Sequence, residues 1–151
     1  MKDIKEYYEF LERKKHHIED SGFSVEDSQL NTILFPFQKY CVKKALNKGK
    51  YALFEDCGLG KTIQQLEWAS HIVKHTSQPV LIIAPLAVVG QTINEGQKFG
   101  YNVIELGGGR PSENSIYITN YDNIKNVVSG DYSGVVLDES SILKNFDGET
   151  K

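Results

Sequence analysis

The chain has 151 residues, which is enough for one domain with a single hydrophobic core. Hydrophobic residues make up 40% and charged residues 25%, an ordinary globular composition, and no apolar run approaches the ~20 residues of a membrane span. Because 17 Lys and Arg face 20 Asp and Glu, the formal net charge is −3, which argues against an autonomous, strongly basic nucleic-acid binder.

Features that direct export or require an oxidising compartment are not found in the sequence. The charged segment 1–6 is unlike a secretory signal. The two cysteines, Cys41 and Cys57, form no metal-binding pattern and need no disulfide. We therefore expect a cytoplasmic protein with no membrane partner.

The predicted elements alternate between helices and short strands. Apolar residues at helical spacing over 1–20, stopped by Ser21-Gly22, predict an N-terminal helical extension over 1–22. The remainder, 23–151, is interpreted as one partial α/β domain with a parallel sheet covered on both faces and a buried final strand. Helices are predicted over 36–47, 61–75, the stretch up to about 99 and 122–128, and strands over 51–54, 80–84, 103–106, 116–119 and 135–137.

The clearest motif is the run Glu-Asp-Cys-Gly-Leu-Gly-Lys-Thr that begins at Glu55, between a predicted strand and a predicted helix. Glycines let backbone N–H groups face phosphates at a helix N-terminus. Lys61 can reach the β- and γ-phosphates, and the Thr62 hydroxyl can ligate Mg²⁺. A strand–helix turn that happens to contain glycines is the alternative, but it gives no packing reason for Lys followed by Thr. The predicted ATP-binding loop residues are Gly58, Leu59, Gly60, Lys61 and Thr62.

Two carboxylates, Asp138 and Glu139, follow the predicted strand 135–137. In open α/β sheets, ligands bind at the carboxyl ends of the strands. Asp138 would hold Mg²⁺ through its water shell, and Glu139 would orient and polarise the attacking water. An acidic strand-to-helix cap is the alternative, and the phosphate loop earlier in the chain favours the nucleotide site.

Taken in order, these motifs resemble those of superfamily 2 helicases and translocases, in particular the Swi/Snf-like branch. In that branch the loop is typically acid-rich before Gly-Leu-Gly-Lys-Thr, so Glu55, where the generic phosphate loop has glycine, fits the narrower family. The segment 35–38, Phe-Pro-Phe-Gln, resembles the motif whose glutamine reads adenine, which implies that role for Gln38. The segment 137–145 resembles the acidic box, with Ser141 where the branch usually has histidine. With a serine at this position the chain resembles phage and bacterial helicases, so we expect the protein to be located in a bacterial or phage-infected host cell.

Two further segments resemble family motifs that face nucleic acid. One is 81–89, which begins in the predicted strand 80–84 and continues through the Pro-Leu pair after it, and the other is 118–121, Ile-Thr-Asn-Tyr. The resemblance implies contact with nucleic acid, with DNA the expected ligand. A strand end followed by a polar loop is the alternative for both. The implied contact residues are Pro85, Leu86, Thr119, Asn120 and Tyr121.

The resemblance covers about 34–145 and implies a P-loop NTPase with a RecA-like sheet flanked by helices. It also implies a second lobe, in cis or in trans, whose arginines stabilise charge on the γ-phosphate. Since no residue after 151 is present, we expect an incomplete sheet with open strand edges and little or no ATP hydrolysis by this chain alone. The alternative is a non-catalytic, nucleotide-responsive or partner-binding module that retained the fold.

Overall fold

The computed structural model describes residues 20–141, together with Ile4 and Tyr8, which are both helical. Most of the predicted N-terminal extension therefore lies outside the described residues. The tail of the acidic box beyond Ser141 also lies outside them.

In the part of the chain that the structure describes, four strands form one parallel sheet with the order β2-β3-β1-β4. These are β1, Val80–Ala84; β2, Val103–Glu105; β3, Ile116–Asn120; and β4, Gly134–Leu137. Every residue of β1 and β3 is buried, as expected for the central strands of a parallel sheet. The predicted parallel α/β architecture is confirmed.

Within residues 20–141, three α-helices accompany the sheet: α1, Pro36–Lys48; α2, Lys61–Thr76; and α3, Leu86–Phe99. Each agrees with its predicted span to within a residue or two, and proline or glycine marks every end except the C-terminal end of α2, where Ser77 is the C-cap. The short helix predicted over 122–128 is a 3₁₀ segment, Tyr121–Asn126. None of the helices within 20–141 has the length and hydropathy that a bilayer crossing requires.

Different elements cover the two faces of the sheet. Helices α2 and α3 pack on one face, where Leu66 of α2 is fully buried in the same core as Ile82 and Ile118. On the other face a smaller cluster includes Leu81, Ile83 and the side chains around the Tyr121–Asn126 segment. The long helices therefore lie on one face, and loops and a 3₁₀ turn cover the second.

The prediction that β4 is a buried strand was wrong. Val135 is 52% exposed and Leu137 is 46% exposed. Their register opposite Leu81 and Ile83 puts them on the second face. Within the described part of the chain, β4 is an edge strand that no element covers on that face.

The strand predicted over 51–54 is also not observed, since these residues have no regular secondary structure. Phe54 is 93% exposed. A strand must pair its backbone groups with a neighbouring strand, and 51–54 pairs with no described strand although the outer edge of β4 is free. The free edge of β4 and the unpaired run 51–54 agree with the open edges that the resemblance implied.

Candidate nucleotide-binding site

The predicted phosphate loop leads directly into the N-terminus of α2. Gly58 has φ 82° and Gly60, the N-cap of α2, has φ 75°, a left-handed conformation in which any β-carbon is strained. No side chain caps α2 in the described structure. The first N–H groups of the helix are therefore available to an anion, as the phosphate-loop prediction requires.

Lys61 lies against the beginning of this loop. Its Nζ donates to the backbone carbonyls of Glu55, at 3.2 Å, and Asp56, at 3.1 Å. An ammonium group has three donors, and carbonyls are weaker acceptors than a charged phosphate. A bound phosphate would therefore compete for these same donors.

Gln38 is in direct contact with the loop, although 20 or more residues separate them in sequence. It is 3% exposed. Its Nε2 donates to the Leu59 carbonyl at 2.8 Å, and its Oε1 accepts from the Phe35 N–H at 2.9 Å. A β-carbon at Gly60 would lie 2.5 Å from Nε2. An amide can form further hydrogen bonds at both ends, so the adenine contact of Gln38 stays a prediction.

A second buried glutamine, Gln64 of α2, contacts Glu55, the residue that stands where the generic phosphate loop has glycine. Its side chain is 2% exposed, and Nε2 donates to Glu55 Oε2 at 2.8 Å. The Gln64 Oε1 atom is buried and has no hydrogen-bond partner among the described residues. Sequence reasoning missed Gln64, although a polar residue at a core-facing position of an amphipathic helix could have indicated it.

Asp138 is fixed at three of its atoms. Its backbone N–H donates to the Ile83 carbonyl at 2.8 Å, and its carbonyl accepts from the Tyr121 hydroxyl at 2.7 Å. Its carboxylate Oδ1 accepts from Gln65 Nε2 at 2.9 Å. The structure thus joins the phosphate-loop helix to the acidic strand end, which the sequence separates by more than 70 residues.

Glu139 follows in a strained backbone conformation. Its φ of 51° lies in the left-handed region, where only glycine is free of steric cost, and its side chain is exposed. Such outliers cluster at functional sites. The chain turns here out of β4, and the carboxylate remains accessible to solvent beside Asp138.

Of the residues predicted to touch nucleic acid, two are accessible. Pro85, the N-cap of α3, is half-buried, and Leu86 is 65% exposed. Both follow the carboxyl end of β1, at the same sheet edge as Asp138 and Glu139. A ligand could reach this pair without rearrangement.

The other three predicted contact residues are buried and bonded within the protein. Thr119 is 1% exposed, and its hydroxyl donates to the Leu106 carbonyl at 2.7 Å. The Asn120 side chain accepts from the Asn123 N–H at 3.0 Å. Burial, and then the carboxylates of Asp138 and Glu139, raise the pKa of Tyr121. In this structure these side chains are engaged within the protein and do not present a contact surface, and the Tyr121 hydroxyl bonds to the Asp138 carbonyl.

The available donors suit Mg²⁺. Asp138 offers a carboxylate and Thr62 a hydroxyl, the hard oxygen ligands that this ion prefers beside nucleotide phosphates and water. Gln65, three residues after Thr62 on α2, touches Asp138, so the first turns of the helix face the acid. Among the described residues no group of three or more His, Cys, Asp or Glu side chains could hold a metal alone. The donor set therefore fits an ion that is shared with a nucleotide.

Comparison with known proteins agrees with the family resemblance of the sequence. The Xenopus laevis protein named SWI/SNF-related matrix-associated actin-dependent regulator of chromatin subfamily A-like protein 1 is 32% identical over 139 residues, which cover 85% of this chain and 14% of that protein. The chain belongs to the Swi/Snf-like branch of superfamily 2. The Xenopus tropicalis protein of the same name is 30% identical over 142 residues, covering 87% of this chain and 15% of its own length. No family model matches the sequence.

Solved structures support the same fold for this Swi/Snf-like chain. The Sulfolobus solfataricus SWI2/SNF2 ATPase core in complex with dsDNA has a TM-score of 0.66 at 24% identity, covering 85% of this chain and 30% of that one. The ATPase core domain from the same organism has a TM-score of 0.62 at 23% identity, covering 80% and 29%. The chain thus spans less than a third of these cores and about a seventh of the curated relatives.

Proposed function

We propose that this chain is the ATP-binding first lobe of a helicase or translocase, which couples ATP hydrolysis to movement on nucleic acid when a second lobe completes it. The observation that carries the proposal is the junction between the phosphate-loop helix and the acidic strand end, through Gln65 and Asp138. A nucleotide held by the loop would have its phosphates near both carboxylates.

The proposed binding roles follow from the contacts of each side chain. The N–H groups from Gly58 to Thr62 and the Lys61 ammonium hold the phosphates, and Gln38 lies close enough to the loop to read adenine. When bound, Mg²⁺ supplies charge neutralisation at the β- and γ-phosphates, held by the Thr62 hydroxyl and, through water, by Asp138. The proposed cofactors are therefore ATP and Mg²⁺.

The hydrolytic step would depend on Glu139. Its exposed carboxylate lies next to Asp138, where it can orient and polarise the attacking water. The arginines that neutralise charge on the transferred phosphoryl group come from the second lobe in this superfamily, and such residues contribute about 10³–10⁵ in rate in related systems. We therefore propose an ATP hydrolase that is nearly inactive as this chain alone.

The proposed nucleic-acid ligand is duplex DNA, because one structural neighbour is an ATPase core in complex with dsDNA. Contact would occur at Pro85 and Leu86, which are accessible at the carboxyl end of β1, beside Asp138 and Glu139. Thr119, Asn120 and Tyr121 would act behind this surface, since the Tyr121 hydroxyl joins the end of β3 to Asp138. With a net charge of −3, binding would depend on such a local surface.

One observation favours a second candidate, a non-catalytic partner-binding module. The outer edge of β4 is unpaired in the described structure, and Val135 and Leu137 beside it are about half exposed. An open edge of this kind can pair with a strand from another chain. The nucleotide would then act as a structural ligand of the module.

Complementation by a second lobe separates the two functions. The purified chain is mixed with the second lobe of a Swi/Snf-like ATPase core and duplex DNA, and phosphate release is followed at steady state. The first-lobe proposal predicts turnover that exceeds that of either component and disappears with Glu139→Gln. Nucleotide binding with no turnover in any mixture would favour the module.

A further inference from the structure

We propose that Gln65 is a positioning residue that holds the Asp138 carboxylate for a nucleotide-bound Mg²⁺. The inference rests on the proposed function and adds a residue that the motifs do not include. Gln65 would touch neither the nucleotide nor the reacting atoms. It would act through Asp138.

The backbone contacts of Asp138 leave its side chain free to rotate, and Gln65 restricts that rotation. Ile83 fixes the Asp138 N–H and Tyr121 fixes its carbonyl, so the main chain is held on both sides. Rotation of the side chain is what remains. The 2.9 Å hydrogen bond from Gln65 Nε2 to Oδ1 restricts that rotation, and both side chains are half-buried, where solvent competes less.

Helix geometry places Gln65 on the same side of α2 as the proposed phosphate and metal contacts. Gln65 lies four residues after Lys61 and three after Thr62, so the three side chains share one side of α2. The same face thus carries the proposed phosphate contact, the proposed metal hydroxyl and the amide that orients the acid. A shift of α2 would move all three together.

The chemistry of an amide suits this task. It donates to one carboxylate oxygen without adding charge, so Asp138 keeps its negative charge and a second oxygen for the metal's water shell. A lysine would neutralise the acid, and an aliphatic side chain would leave it free to rotate. The preceding residue, Gln64, points its amide at Glu55, so two successive glutamines support the loop and the acid separately.

The test is calorimetry of ADP binding, with Mg²⁺ and with EDTA, on the Gln65→Leu variant. Loss of such outer-shell support typically weakens metal binding at least tenfold. We expect the Mg²⁺-dependent gain in ADP affinity to fall roughly tenfold, while affinity in EDTA stays unchanged. The matched control is Gln91→Leu, which removes a Gln91 Nε2–Glu95 Oε1 hydrogen bond of 2.8 Å on the exposed part of α3. That control should keep the full gain.

A double-mutant cycle separates positioning from a general effect on folding. In an Asp138→Asn background, Gln65→Leu should cause no further loss, because the carboxylate it acts through is gone. An unchanged Mg²⁺ gain in Gln65→Leu, or an equal loss in both backgrounds, would overturn the inference. Gln65→Met, of matched length, replaces Gln65→Leu if the latter unfolds. Absence of any ADP binding by the parent chain would instead overturn the proposed function.

Discussion

The side chain of Gln38 reaches across to the phosphate loop, and its Nε2 donates to the Leu59 carbonyl at 2.8 Å. The same nitrogen occupies the space beside Gly60 that a β-carbon would need. The two motifs that would hold the base and the phosphates of a nucleotide are therefore one connected unit. A change at Gln38 must be transmitted to the loop.

Replacing Gln38 with alanine should weaken both ATP and GTP, since the loop loses a hydrogen bond of ~1 kcal/mol. If the amide also reads adenine, ATP should lose several-fold more affinity than GTP. Titration of both nucleotides by calorimetry measures the difference. Gln97→Ala, on the exposed end of α3, is the control and should change neither. Equal losses for the two nucleotides would restrict Gln38 to supporting the loop.

An acidic substitution of Leu86, Leu86→Asp, should weaken duplex DNA binding several-fold without changing thermal stability, because this side chain is 65% exposed. The added charge would repel the phosphate backbone. Fluorescence anisotropy with labelled duplex checks this. Ile124→Asp, at a position 40% exposed in the 3₁₀ segment, adds the same charge elsewhere. If both variants bind DNA equally well, Leu86 does not lie on the contact surface.

Glycine at position 139 should stabilise the fold and also remove the carboxylate that is proposed to polarise the attacking water. Because φ is 51°, Glu139→Gly should raise the free energy of unfolding by about 0.5–1 kcal/mol. Glu139→Gln keeps the strain and should leave stability unchanged. Urea denaturation of both variants makes the comparison. A glycine variant no more stable than the parent would show that the left-handed turn costs nothing here.

Acid stability should depend on a buried carboxylate far from the site. Burial opposes ionisation of Glu67, but hydrogen bonds from His71, from Tyr101 and from the Asn31 N–H outweigh it, so its folded pKa is lowered. As the pH falls, Glu67 is therefore protonated in the unfolded state before it is protonated in the folded state. Stability from Glu67 is present above about pH 4.5 and is lost as the pH falls through the folded pKa.

A series of urea denaturations between pH 7 and pH 3 measures this dependence. Replacing Glu67 with glutamine should flatten the acid limb of the stability curve as well as lower stability at neutral pH. Glu105→Gln, at an exposed position of β2, is the matched control and should keep the slope. An identical slope in parent and Glu67→Gln would refute the assignment.

Local signals predicted the helices and the central strands well. Pro36 begins α1, Gly100 ends α3, and the run Val80–Ala84 is too apolar for any position but the middle of a sheet. The segment 51–54 has similar character, yet it forms no strand, because an apolar run becomes a strand only when it pairs with a neighbouring strand. The exposure of Val135 has the same origin, since burial depends on which elements arrive from elsewhere.

The motifs predict the residues of the candidate site, and they do not predict the side chains that support those residues. Lysine and threonine after glycines have no packing reason, which favours a phosphate loop. Paired carboxylates after a strand can also form an acidic cap, and the phosphate loop favours the nucleotide site. Gln65 carries no such signal, because a glutamine on a helix is usually solvated, and the only signal at Gln64 is its core-facing position in an amphipathic helix. Their roles follow from tertiary contacts to Glu55 and Asp138. Likewise Thr119 has the polarity of a contact residue, but it is buried and its hydroxyl donates to the Leu106 carbonyl.

The most direct test of the account is calorimetry of ATP with Mg²⁺ on the parent chain and on Lys61→Ala. Removing the ammonium takes away a charge-assisted contact worth ~1.5–3 kcal/mol, so affinity should fall roughly tenfold or more. Lys98→Ala, at an exposed position near the end of α3, should bind like the parent. Saturable binding that Lys61→Ala weakens in this way is the predicted result. Equal affinity in Lys61→Ala and the parent would contradict the claim that this loop binds nucleotide.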